Sequence, residues 1–123
     1  MLTVCSTSNF DNNKSRNNFL IVRNKKFNVK GSIWFPELSP SMELYLRTLE
    51  NKKTDNNWFE GYKKSFIEEM NKPMFQANLL VIRDLLDKGQ TVTLICYCQD
   101  YTKCHRFIIA EYFKLLGYEV KVA

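Results

Sequence analysis

Three of the four cysteines, Cys96, Cys98 and Cys104, lie within nine residues, and His105 and Arg106 follow at once. His105 is the only histidine in the chain. A thiol attacks as thiolate, and a helix start or a neighbouring guanidinium favours that form. Cys104 at a helix start beside Arg106 has such a setting, so it is the candidate nucleophile if the protein is an enzyme. His105 is then the candidate acid/base, because imidazole titrates near neutral pH. Arg106 can clamp a phosphate or carboxylate with paired hydrogen bonds, or pair with Asp100. Plainer roles compete. Cysteines of a central strand usually act as small core hydrophobes, which suits Cys96 best and Cys98, nearer the strand end, less. His105 can simply cap the loop.

Two specific chemistries are tested by spacing. A phosphatase-type loop places arginine six positions after its nucleophilic cysteine, so that backbone N–H groups and guanidinium cradle one phosphate. Counted from Cys98, that position holds Cys104, and Arg106 comes two residues too late. Zinc takes four converging ligands, and Cys96, Cys98, Cys104 and His105 are of the right types. Structural zinc sites favour a wider C-x2–4-C spacing, however, whereas C-x-C along a strand spreads the sulfurs over a pleat. No metal and no cofactor are therefore expected.

The elements that must hold these residues are readable. Thr91–Cys98 is β-branched, apolar and preceded by a glycine turn, which predicts a strand. A polar loop, Gln99–Lys103, leads to a helical pattern from Cys104 to Leu116, closed by Gly117, and Tyr118–Val122 reads as a last strand. Strand, helix, strand normally crosses over right-handedly between parallel strands. Upstream, Leu2–Cys5 and Phe19–Val22 read as strands. Ser39 and Pro40 suit the cap and first position of a helix bearing Met42, Tyr45, Leu46 and Leu49 on one stripe. A second helix over Asp55–Met70 aligns Phe59, Tyr62, Phe66 and Met70. A third after Pro73 aligns Phe75, Leu79, Ile82 and Leu86 and stops at Gly89. Aromatic stripes of this kind are read as core. The expected architecture is a single α/β domain, residues 1–123, with a small, largely parallel sheet flanked by about four helices in Rossmann-like layering.

In such sheets ligands bind beyond the carboxyl ends of the strands. That rim holds Cys98, Tyr101 and the Cys104–His105–Arg106 helix start, whose free N–H groups attract anions. Ser6, Thr7, Ser8 and Asn9, at the end of the first strand, join it if the two strands run the same way. The ligand-binding candidates are therefore Arg106, Cys98, Tyr101, Ser6, Thr7, Ser8 and Asn9.

A chain of 123 residues with 45% hydrophobic and 25% charged residues has the makings of one ordinary core. No apolar run approaches a membrane span, and the N-terminus lacks a signal-peptide pattern. A cytoplasmic protein that engages no membrane is expected. Residues 1–36 carry Lys14, Arg16, Arg23, Lys25, Lys26 and Lys30 against Asp11 alone, which accounts for the whole formal charge of +5. Such a segment suits an anionic partner, or is only a solvated loop.

The run from Val92 to Phe113, with its Cys96-Tyr-Cys98 and Cys104-His-Arg106, resembles the signature of the bacterial and phage family called domain of unknown function 488. Thr3–Phe10 is similar to that family's opening strand, and Leu38–Ser41 to its helix start. The Asn/Lys-rich stretch Asn24–Lys30 departs from it, replacing the family's usual extension. The resemblance implies an α/β sandwich around a small sheet and no particular reaction. Its small Asn/Lys-rich members are common in phages of low-GC hosts, which suggests such an origin.

Three functions compete. The first is binding of a nucleotide-like anion at Cys98–Arg106, as in a phage anti-defence protein that sequesters a signalling nucleotide. The second is a Cys/His-dependent enzyme acting on a nucleotide or phosphoester, with Cys104 and His105 catalytic. The third is nucleic-acid binding by the basic N-terminal third, against which no helix carries a basic stripe. The first is preferred, since one histidine is thin catalytic equipment.

Overall fold

The computed structural model describes all 123 residues. Five strands form one sheet: β1 (Leu2–Ser6), β2 (Asn17–Leu20), β3 (Ile33–Trp34), β4 (Val92–Cys96) and β5 (Val120–Val122). Their spatial order is β3-β2-β4-β1-β5, and every pairing is parallel. Four α-helices follow in chain order, α1 (Met42–Thr54), α2 (Trp58–Met70), α3 (Pro73–Asp87) and α4 (His105–Leu115). The α/β class and parallel sheet expected from the sequence are thus present.

β1 and β4 are buried along their whole length because helices or loops cover both sheet faces, which is why they read as unbroken apolar runs. Leu2, Val4, Val92 and Leu94 face the helices and join buried residues from all four of them in one core. The opposite face carries Cys5, Leu20 and Ile95, covered by Phe10 of a 3-10 turn (Thr7–Asn12) and by Val29. The chain leaves β1 toward this second face and leaves β4 toward the helices.

Several boundaries differ from expectation. β4 stops at Cys96, not Cys98. Ser6 pairs with Cys96 as the last rung on one side, and β2 ends opposite Ile95 on the other, so Tyr97 and Cys98 have no ladder to join. β2 begins at Asn17, where the Asn17 N–H bonds the Thr91 carbonyl, and it ends before Ile21. α1 is capped by Ser41, whose Oγ accepts the Leu44 N–H at 3.1 Å, and not by Ser39. Ser39 is buried and donates instead to the Pro36 carbonyl. The expected stripe of α1 fails as core: Met42, Leu46 and Leu49 are exposed, and the helix buries Leu44 and Thr48. α3 follows its pattern, burying Phe75, Leu79, Ile82 and Leu86. Gly89 (φ +80°) and Gly117 (φ +92°) take the left-handed turn that ends α3 and α4.

Candidate functional site at the carboxyl edge of the sheet

β4 is the central strand, and its last residue, Cys96, meets the start of α4 at the carboxyl edge. Cys104 occupies the N-cap position of α4 with extended backbone. Between them the loop is pinned by Asp100, whose Oδ1 accepts from the Thr102 N–H (3.0 Å) and hydroxyl (2.6 Å). Those Thr102 bonds, helped by the Lys103 and Arg106 charges, hold the Asp100 carboxyl below the usual range.

The loop brings the thiols together. Cys104 Sγ donates to Cys96 Sγ at 3.4 Å. His105 Nδ1 lies 3.9 Å from Cys96 Sγ and 3.8 Å from Cys104 Sγ. The other ring nitrogen, Nε2, bonds the Ile21 carbonyl. A carbonyl only accepts, so Nε2 carries the hydrogen, and in neutral His105 the Nδ1 lone pair faces the two sulfurs. Phe66 packs edge-on against the ring at 5.8 Å and fixes its plane.

The thiols differ in character. At Cys96 a hydrogen bond from Cys104 pulls the pKa down, but hydrogen bonding with Cys98 and burial outweigh it and push the thiol up to about 12. Hydrogen bonding with Cys104, with burial behind it, also raises Cys98. Cys5 belongs to the same buried cluster of the second sheet face, and burial pushes it up to about 11. Cys104 is 1% exposed, whereas Cys98 is half-buried.

Cys96, Cys98, Cys104 and His105 form one wall of a cavity of about 200 Å³. The end of β2 and its following loop (Val22, Arg23, Asn24, Lys26) form a second wall, and α1 and α2 close it with Tyr45, Thr48, Leu49, Lys52, Trp58 and Tyr62. Arg23, Lys26, Lys52 and Lys103 contribute four cations, and no carboxylate lines the space. Arg23 also braces the walls, donating to the Pro40 carbonyl (2.8 Å) and the Pro36 carbonyl (2.9 Å). The Lys52 ammonium sits 4.4 Å from the Trp58 ring centroid, a cation–π contact.

Of the residues expected at the site, Cys98, Cys104 and His105 line this cavity. The others do not: Ser6, Thr7, Ser8 and Asn9 lie at the end of β1, and Tyr101 and Arg106 pack beneath the loop after β4. Ser6 is buried and Ser8 exposed; their hydroxyls lie 2.8 Å apart, and Ser8 donates to Gln99 Oε1 at 2.9 Å. Thr7 is half-buried and Asn9 exposed, its carbonyl accepting from Asn13. Arg106 is 2% exposed and forms no ion pair with Asp100. Its Nη1 donates to the Cys98 carbonyl at 2.6 Å, its guanidinium lies 5.5 Å from the Tyr101 ring centroid, and its Nε has no partner.

The sequence reading missed the far wall. Tyr45, Leu49 and Tyr62 belong to stripes assigned to core, yet they face the cavity. The available signal was charge: Arg23 and Lys26 come from the basic first third, where two of six cations converge on the site. The arrangement can hold an anion against cations and aromatic rings, and it offers a histidine lone pair to two thiols.

A family model described as the active DUF488-N3 subclade matches residues 2–117. No curated protein and no solved structure matches the chain. No helix is long and apolar enough to cross a membrane. The match runs from the first residue of β1 to the glycine that ends α4, taking in the whole thiol cluster; the chain is a member of the DUF488 family, in its N3a subclade.

Proposed function

We propose that the protein binds a compact, nucleotide-like anion in the cavity between β4, α1 and α2. One observation carries the reading: four cations and several aromatic rings line a concave site that no carboxylate lines. Unneutralised positive charge in a partly desolvated cleft focuses an anion, and Tyr45, Trp58 and Tyr97 line the same space. Held without turnover in the cytoplasm, a signalling nucleotide would be sequestered, a role that suits a phage-encoded chain. Calorimetric titration with AMP, GMP, adenosine and inorganic phosphate tests this. Binding of a monophosphate with adenosine silent supports it, and silence of every phosphate overturns it.

A second reading, a thiol enzyme acting on a phosphoester, is favoured by the Nδ1 lone pair of His105 facing Cys104 Sγ at 3.8 Å with the ring oriented by the Ile21 carbonyl. The description of the subclade as active accords with it. The burial of Cys104 weighs against it. Consumption of a nucleotide, lost in Cys104→Ser, would establish this reading over simple binding.

A further inference from the structure

We propose that Cys96, Cys104 and His105 form a binding site for a thiophilic divalent metal ion, zinc by its chemistry, with the fourth coordination position open to the cavity. The proposal stands on the sulfur–nitrogen geometry and does not rest on the anion ligand proposed above. The two Sγ atoms and Nδ1 lie within 4.8 Å of one another. Zn–S bonds of about 2.3 Å and Zn–N bonds of about 2.0–2.1 Å at the tetrahedral angle require S···S near 3.8 Å and S···N near 3.6 Å. The structure has 3.4 Å between the sulfurs and 3.9 and 3.8 Å from them to Nδ1. An ion could therefore enter with shifts of less than about half an ångström.

Three further features fit. A metal-bound histidine usually donates its other ring N–H to a fixed acceptor, which sets the tautomer, and His105 Nε2 already bonds the Ile21 carbonyl. All three residues line the cavity, so the fourth position has room for water or an anion's oxygen. The objection that C-x-C spreads its sulfurs along a pleat does not reach this set, because the cysteine of α4, not Cys98, supplies the second sulfur. Cys98 lies past the end of β4 and is not one of the three converging ligands.

The reaction balances as one divalent ion displacing two thiol protons, with neutral histidine as third donor. Two thiolates cancel the ion's charge, so the buried site is neutral when filled.

The experiment uses the reduced full-length protein without nucleotide. It is loaded with zinc, desalted and assayed for metal per chain, then exchanged with cobalt(II), whose thiolate charge-transfer absorption reports sulfur ligation. One zinc per chain and a tetrahedral cobalt spectrum are expected. Cys96→Ser, Cys104→Ser and His105→Ala should each weaken zinc, measured against a chromophoric chelator, by at least about tenfold, and Cys5→Ser should not. Should those variants fail to fold, the wild type alone decides: it must retain one zinc per chain and its cobalt form must show thiolate charge-transfer absorption. Absence of zinc retention, absence of thiolate absorption, or wild-type affinity in folded Cys104→Ser overturns the site. Cys98→Ser should keep the metal; its loss there would overturn the open fourth position. Nucleotide titrations on zinc-free protein fail or succeed separately, so the two readings are distinguished.

Discussion

Arg106 Nη1 donates a 2.6 Å hydrogen bond to the carbonyl of Cys98, tying the first turn of α4 to the loop that leaves β4. The guanidinium is buried, stacked near Tyr101, and does not line the cavity. Its immediate work is to hold the loop that carries Cys98. Arg106→Ala strands a carbonyl and empties a large buried volume. A loss of about 1.5–3 kcal/mol is expected for a bond from a charged donor, read as a lower urea midpoint. A variant as stable as wild type would show that the loop holds without it.

Asp100 closes the same loop from its other end, through the Thr102 backbone and hydroxyl. Its carboxyl titrates below the usual range, first because of the Thr102 bonds. A depressed folded pKa gives stability that is present above the unfolded value and is lost as pH falls through the folded one. The gap in urea midpoint between wild type and Asp100→Ala should therefore be constant from neutrality to about pH 4, the ordinary carboxylate region, and shrink below it. A gap insensitive to acid would count against the bonds as the cause.

The core legible in the sequence was the part set by local pattern. The period of α3 put Phe75, Leu79, Ile82 and Leu86 on one face, and β1 and β4 read as unbroken apolar runs. α1 misled because it carries two candidate faces. The face that wins is chosen by a contact distant in sequence, since Glu69 of α2 accepts from the Ser41 N–H at 2.8 Å and from its hydroxyl. That anchor fixes where α1 begins and buries Leu44 and Thr48. Leu79→Ala should cost about 2–5 kcal/mol as a core truncation, whereas Leu46→Ala, exposed in the expected stripe, should stay within about 0.5 kcal/mol. Chemical denaturation of the two variants compares the faces directly, and a large cost at Leu46 would restore the rejected stripe.

The site was legible where it is contiguous and hidden where it is not. Cys98, Cys104 and His105 lie on one short loop whose strand–loop–helix pattern puts them at the sheet edge. Lys52 and Trp58 reach the cavity only because α1 packs on α2 and α2 on α4, which no local spacing reveals. Their charge is testable. Lys52→Glu places the only carboxylate among the lining cations, and should weaken monophosphate binding at least about tenfold, 1.4 kcal/mol, with a smaller deficit in high salt. Lys53→Glu is the control, because Lys53 pairs with Glu50 and does not line the cavity. Equal effects from both would reduce the site to general surface charge.

The four cysteines should separate by access. Cys5, Cys96 and Cys104 are buried and Cys98 is half-buried, at the cavity wall. In native, reduced, chelator-treated protein, one thiol should react with an aromatic disulfide reagent while the others wait for unfolding. Peptide mapping should place that label on Cys98. Cys5 and Cys96 should stay silent in the folded state, since their thiols are pushed up to about 11 and about 12 and leave almost no thiolate at neutral pH. Unfolding in urea should release the remaining three together, because they sit in a single cluster of the second sheet face and its edge. Rapid labelling of Cys104 in the native state would mean that the start of α4 opens far more readily than its packing allows. It would also restore Cys104 as an accessible nucleophile and shift the balance from binding toward turnover.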